Sequence, residues 1–208
     1  MRSIRILLCA LLLTCEAHAS TPERTLLVFG DSLSAAYGLL PEQGWVALLQ
    51  KRLQDEGYGY NVVNASVSGE TTAGGLARLP RALQQHHPAI VVLELGANDG
   101  LRGLPVQDAR TNLDAMVAAS RRAGAKVLLV GILIPPNYGP KYSSSFADIF
   151  RQLAGERKLP FVPFLLDGVA LDPQLMQQDG LHPRAAGEPR VMENVWQHLH
   201  PLLERPGQ

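Results

Sequence analysis

An apolar run stops at Gly30 and is followed at once by Asp31 and Ser32, in Leu26-Leu27-Val28-Phe29-Gly30-Asp31-Ser32. A serine placed where a core strand emerges either belongs to a turn or serves as a nucleophile. Its hydroxyl attacks well only when an imidazole takes its proton and an acceptor holds that imidazole in one tautomer. Of the six histidines, His182 is the one with an acid close by in a loop, in Asp179-Gly180-Leu181-His182-Pro183. Asp179 lies three residues before it, near enough to fold its carboxylate back onto the ring, and Gly180 gives the backbone freedom to do so. The same five residues also read as a turn followed by a helix start, so spacing alone leaves both readings open.

Acyl transfer also needs donors aimed at the developing oxyanion. The backbone N–H groups of Ser32 and Gly69 and the side-chain amide of Asn98 are available for that role. They sit in three similar stretches: Gly30-Asp31-Ser32, Asn64-Ala65-Ser66-Val67-Ser68-Gly69-Glu70 and Gly96-Ala97-Asn98-Asp99-Gly100. These residue types equally make turns and caps, so each stretch taken singly has a structural explanation.

The elements that must position these residues follow from the hydrophobic pattern. Strands are predicted over Thr25–Phe29, Tyr60–Asn64, Ala89–Leu95, Lys126–Ile132 and Phe161–Phe164. Between them, apolar residues recur at helical spacing over Gln43–Glu56, over Thr72–Gln85, around Leu113-Met116-Val117 and around Phe146-Ile149-Phe150-Leu153. A last helix, striped by Met192, Val195, Trp196 and Leu199, is expected to open near Pro183. Strict alternation of strand and helix predicts a three-layer α/β domain with a mostly parallel sheet. In such a sheet ligands bind outside the carboxyl ends of the strands, where all three polar stretches fall. Two irregular segments, Leu133–Tyr142 and Phe164–Met176, carry the Leu, Phe, Tyr and Pro content suited to lining a groove for an acyl chain.

The first nineteen residues read differently. Arg2 and Arg5 precede an apolar run over Ile6–Leu13, and Ala17-His18-Ala19 offers a cleavage site, so residues 1–19 are expected to be a signal peptide and residues 20–208 a single domain. The apolar run is too short for a stable membrane span. A lipoprotein acylated at Cys15 is disfavoured by Thr14 before it. Cleavage after Ala19 would remove both cysteines and leave 17 basic and 18 acidic residues, which excludes a disulfide framework, thiol catalysis and electrostatic attraction to nucleic acid. The expected location is the periplasm or the medium.

Gly30-Asp31-Ser32-Leu33-Ser34, Gly69 in Ser68-Gly69-Glu70-Thr71, Asn98 in Gly96-Ala97-Asn98-Asp99 and Asp179-Gly180-Leu181-His182-Pro183 resemble, in order, the four blocks of the GDSL, or SGNH, hydrolases. The stretches Glu94–Gly103 and Pro135–Tyr142 are similar to those of bacterial periplasmic members with acyl-CoA thioesterase, lysophospholipase and arylesterase activity. The resemblance implies a flavodoxin-like, five-stranded α/β/α fold, a Ser32-His182-Asp179 triad, an oxyanion hole from Ser32, Gly69 and Asn98, and no cofactor or metal. It implies a monomer acting on small acyl esters or thioesters, with no nucleic-acid partner. Glu70 and Ala97 stand where relatives commonly carry Asp and Gly.

Three rival readings are weaker. An α/β-hydrolase would carry G-x-S-x-G at a mid-chain elbow. A phosphate-binding module would need a glycine-rich cradle, and the chain has neither G-x-G-x-x-G nor a P-loop. A carbohydrate O-acetyl esterase would share the catalytic blocks but should have an aromatic, polar cleft, whereas this chain is 6% aromatic.

Overall fold

The structure is a computed structural model and describes residues 24–205. The expected signal peptide and both cysteines lie outside the described residues.

Five segments become strands: β1 (Arg24–Gly30), β2 (Tyr60–Asn64), β3 (Ile90–Glu94), β4 (Lys126–Val130) and β5 (Phe161–Val162). They form one sheet in the order β2-β1-β3-β4-β5, and every neighbouring pair is parallel. β3 is buried at all five positions, because it has a strand on either side and helices over both faces. The helices are α1 (Trp45–Asp55), α2 (Thr72–His86), α3 (Ala97–Leu101), α4 (Val106–Arg122), α5 (Pro140–Arg157) and α6 (Glu188–Leu199). α1 packs against α6, while α2 packs against α4 and α4 against α5, which makes the outer two of three layers. Trp45, Leu49 and Leu53 turn one stripe of α1 into the core, as their helical spacing requires.

The chain runs from β1 outward to β2 and then crosses back over β1 to β3. The direction of winding therefore reverses between β1 and β3, and a crevice opens at their carboxyl ends. Register pairs Gly30 with Glu94, so Ser32 emerges beside the exit of β3.

Two elements differ from the sequence expectation. The last helix opens at Glu188, not near Pro183. Pro183 is instead held in an isolated antiparallel bridge to Met176, with Arg184 N–H donating to Leu175 at 2.7 Å, so the chain is extended there. Residues 97–101, expected as a strand exit, form the single turn α3, which Gly96 enters at φ +127°.

Candidate active site

Gly30 leaves β1 through a space with no room for a side chain. A Cβ there would lie 2.5 Å from Glu94 Oε2 and 2.8 Å from Ser34 Oγ. Asp31, fully buried, then accepts the Leu33 N–H at 3.0 Å and bends the chain into the turn that carries Ser32. Burial pushes the Asp31 carboxyl up, although hydrogen bonds from Leu33 and Asn98 oppose the rise. Glu94, below it, is raised well above the carboxylate range by complete burial and by Asp31 itself. Glu94 Oε2 accepts from Ser34 Oγ at 2.6 Å and from the Asp31 N–H at 3.3 Å. Its Oε1 has no partner among the described residues, as fits a neutral acid better than a carboxylate.

Ser32 and His182 are 150 residues apart in sequence, yet Ser32 Oγ lies 2.8 Å from His182 Nε2. The other ring nitrogen, Nδ1, is 2.7 Å from Asp179 Oδ2. Asp179 Oδ1 accepts the N–H groups of Leu181 and His182 at 2.9 and 3.1 Å, and Gly180 takes the φ of +65° that folds the carboxylate back. Desolvation raises the Asp179 pKa, but bonds from the His182 ring and these two N–H groups outweigh it and hold the pKa below its ordinary value. Asp179 is thus an anion well suited to fix the Nδ1–H tautomer.

The loop carrying His182 is tied across the sheet by residues that sequence reasoning missed. Gln177 Nε2 donates to the carbonyls of Tyr37 and Pro183, both at 2.8 Å, and Gln177 N–H donates to the His182 carbonyl at 2.7 Å. The Tyr37 ring lies against the imidazole, with centroids 4.5 Å apart. Neither residue belongs to a motif or an apolar period, so no local signal marks it.

The three expected oxyanion donors stand differently. Among the described residues, no hydrogen-bond acceptor is found for the Ser32 or the Gly69 N–H. Asn98 borders the cavity with Ser32 and His182, but its amide donates to Glu70 O at 2.9 Å and to Asp31 Oδ2 at 3.2 Å. Gly69, at φ +79°, is not part of the cavity wall. Its loop is pinned by Arg78, which pairs with Glu70 at 2.6 Å, reaches the Ala65 carbonyl at 2.6 Å and covers the Phe29 ring at 4.1 Å. Asp99 accepts both the N–H and the hydroxyl of Thr72, at 2.8 and 2.6 Å, and so ties α3 to α2.

A cavity of about 500 Å³ opens beside Ser32 and His182. Its wall comes from the exits of β4 and β5, including Ile132, Ile134, Leu165, Leu166 and Met176, within and next to the two segments expected to line a groove. Among the described residues, no group of three or more His, Cys, Asp or Glu side chains is arranged to hold a metal ion. No described helix is long and apolar enough to cross a membrane.

A parallel sheet in this order, with a serine, imidazole and carboxylate in sequence at its switch point, is the architecture of a flavodoxin-like hydrolase. The model of the GDSL-like lipase/acylhydrolase family matches residues 28–189. The chain is 56% identical over 196 residues to Esterase TesA of Pseudomonas aeruginosa, covering 94% of this chain and 96% of that one. It is 43% identical over 192 residues to Thioesterase 1/protease 1/lysophospholipase L1 of Escherichia coli K12, covering 92% and 89%. A crystal structure of TesA superposes with a TM-score of 0.85 at 57% identity, covering 86% of this chain and all of that one. The chain belongs to the GDSL-like lipase/acylhydrolase family and is a hydrolase.

Proposed function

We propose that the protein is an exported serine esterase that hydrolyses acyl esters and thioesters, with Ser32, His182 and Asp179 as its triad. The observation that carries this reading is the unbroken path Ser32 Oγ, His182 Nε2, His182 Nδ1, Asp179 Oδ2, at 2.8 and 2.7 Å, at the mouth of an apolar cavity. Ser32 Oγ attacks the acyl carbonyl as His182 Nε2 takes its proton. The imidazolium, steadied by Asp179, then protonates the leaving alcohol or thiol. Water, deprotonated by the same nitrogen, cleaves the acyl-enzyme and regenerates Ser32.

The oxyanion is held by the N–H groups of Ser32 and Gly69 and by the Asn98 amide. Asn98 can take part by giving up one of its two acceptors, and the 3.2 Å bond to Asp31 is the weaker. The acyl chain lies along the apolar wall, where each buried CH₂ contributes about 0.8 kcal/mol. Names of relatives that include esterase, thioesterase and lysophospholipase support the substrate class. Residues 1–19 act as the export signal, and the protein works in the periplasm or the medium as one domain.

The test is a series of nitrophenyl esters from acetyl to palmitoyl, assayed on the purified protein and on Ser32→Ala. Serine-dependent turnover that favours medium or long chains is expected. Turnover confined to acetyl would replace this reading with an O-acetyl esterase, and equal rates for the two proteins would remove the triad assignment.

A further inference from the structure

His182 is fixed within its own loop by backbone bonds. Met176 pairs with Pro183 in an antiparallel bridge, the Gln177 N–H donates to the His182 carbonyl at 2.7 Å, and the Arg184 N–H donates to the Leu175 carbonyl at 2.7 Å. None of these bonds reaches the turn that carries Ser32, which leaves β1 on the far side of the active site. The distance between base and nucleophile therefore depends on what joins the two loops.

Among the described residues, one hydrogen bond besides the Ser32–His182 contact joins residues 31–40 to residues 175–184. It runs from Gln177 Nε2 to the Tyr37 carbonyl at 2.8 Å. The Tyr37 N–H donates in turn to the Ser32 carbonyl at 3.2 Å, so the bond ends one step from the nucleophile. The same Nε2 donates to the Pro183 carbonyl at 2.8 Å, next to the base. Both partners are carbonyl oxygens that can only accept, so the side chain between them must donate twice, as a primary amide can and a carboxylate cannot. The chain after Tyr37 is shaped around this amide: a Cβ on Gly38, which has φ +75°, would lie 2.5 Å from Gln177 Oε1.

We propose that Gln177 is a positioning residue for the general base, and that its two N–H donors set the spacing between the loop of His182 and the turn of Ser32. The proposal rests on the esterase reading, because it assigns Gln177 a part in the proton transfer between those two residues. Gln177 is not part of the cavity wall, so its effect falls on the rate of reaction and not on acyl binding.

Steady-state kinetics on a soluble nitrophenyl acetate, measured with Tm from about pH 5 to about pH 8, tests it on the native protein, Gln177→Met, Gln177→Glu and Ser32→Ala. Gln177→Met keeps the length and removes both donors. It should lower kcat about 10- to 100-fold, the scale of a small misplacement of reacting groups, with KM within about twofold of native. Gln177→Glu turns a carboxylate toward two carbonyl oxygens and should lose more at the alkaline end. Its rate relative to the native enzyme at the same pH should rise as pH falls, because the protonated acid regains one donor. Unchanged kcat in Gln177→Met, losses in both variants that follow only the fraction of folded protein, or a Gln177→Glu ratio that does not vary with pH would overturn the proposal. Equal rates for Ser32→Ala and the native protein would instead remove the esterase reading on which it rests.

Discussion

The two edges of the sheet are built on opposite plans. At the amino edge, helices return to strands through three or four residues, at 56–59, 87–89, 123–125 and 158–160. Each of these turns contains one residue in the left-handed region: Gly57, His87, Gly124 and Lys158. Ion pairs such as Arg24–Glu204 and Lys126–Glu204 lie across its surface. At the carboxyl edge, the connections to α1, α2, α4, α5 and α6 run from seven residues after β2 to twenty-five after β5, the one after β3 including the single turn α3, and they carry Ser32, Gly69, Asn98, Asp179, His182 and every exposed large hydrophobic among the described residues. The amino edge closes helices economically, whereas the carboxyl edge gathers long loops where strand ends leave a crevice. Chemistry and stability are therefore expected to separate, with substitutions at one edge changing rate and at the other changing folding free energy.

The largest break in that separation would come at Asp179. Asp179→Asn would present an amide N–H to His182 Nδ1 and favour the wrong tautomer, so kcat should fall about 10⁴-fold with little change in Tm. A comparable loss of Tm would mean that the loop residue is structural.

Glu188 sharpens the comparison, because it is a stability determinant at the active edge. Its Oε2 accepts the Trp45 N–H at the start of α1 at 2.8 Å, and burial pushes its pKa up to about 7, against that hydrogen bond. The folded protein thus keeps this proton up to about pH 7, while the unfolded chain loses it near 4.5. The folded state binds more protons across that window, so stability falls as pH rises through it. The full shift corresponds to about 3 kcal/mol. Glu188→Gln keeps an acceptor for Trp45 and should flatten this part of the slope, read as ΔG of unfolding from pH 4.5 to 8. Asp31 and Glu94, shifted in the same direction, should leave a remaining slope.

The smallest effect belongs to the amino edge. Lys158 holds φ +49° as the C-cap of α5, where a glycine avoids the contact between Cβ and carbonyl. Lys158→Gly should raise stability by about 0.5–1 kcal/mol in urea unfolding, with esterase rates unchanged.

Much of this was legible in the sequence, for identifiable reasons. Continuous apolar runs marked β1, β3 and β4, since a buried parallel strand has no polar face to interrupt it. The Asp179–His182 pair was visible because three residues and a glycine suffice to fold one side chain onto the other. Pro183 misled, because proline suits an extended bridge as well as a helix start. Gln177 and Tyr37 were invisible, since what they brace is distant in sequence.

Periodicity and turn chemistry act over a few residues, and at that range the chain alone determined its strands, its helices and the local geometry of each block. Only the tertiary structure decided that Ser32 meets a histidine 150 residues away, that Glu94 is sealed under Asp31, and that Leu133 and Leu171 border one cavity with Ser32. Those relations depend on strand order and register, which bring remote segments to one edge and decide which groups lose their water.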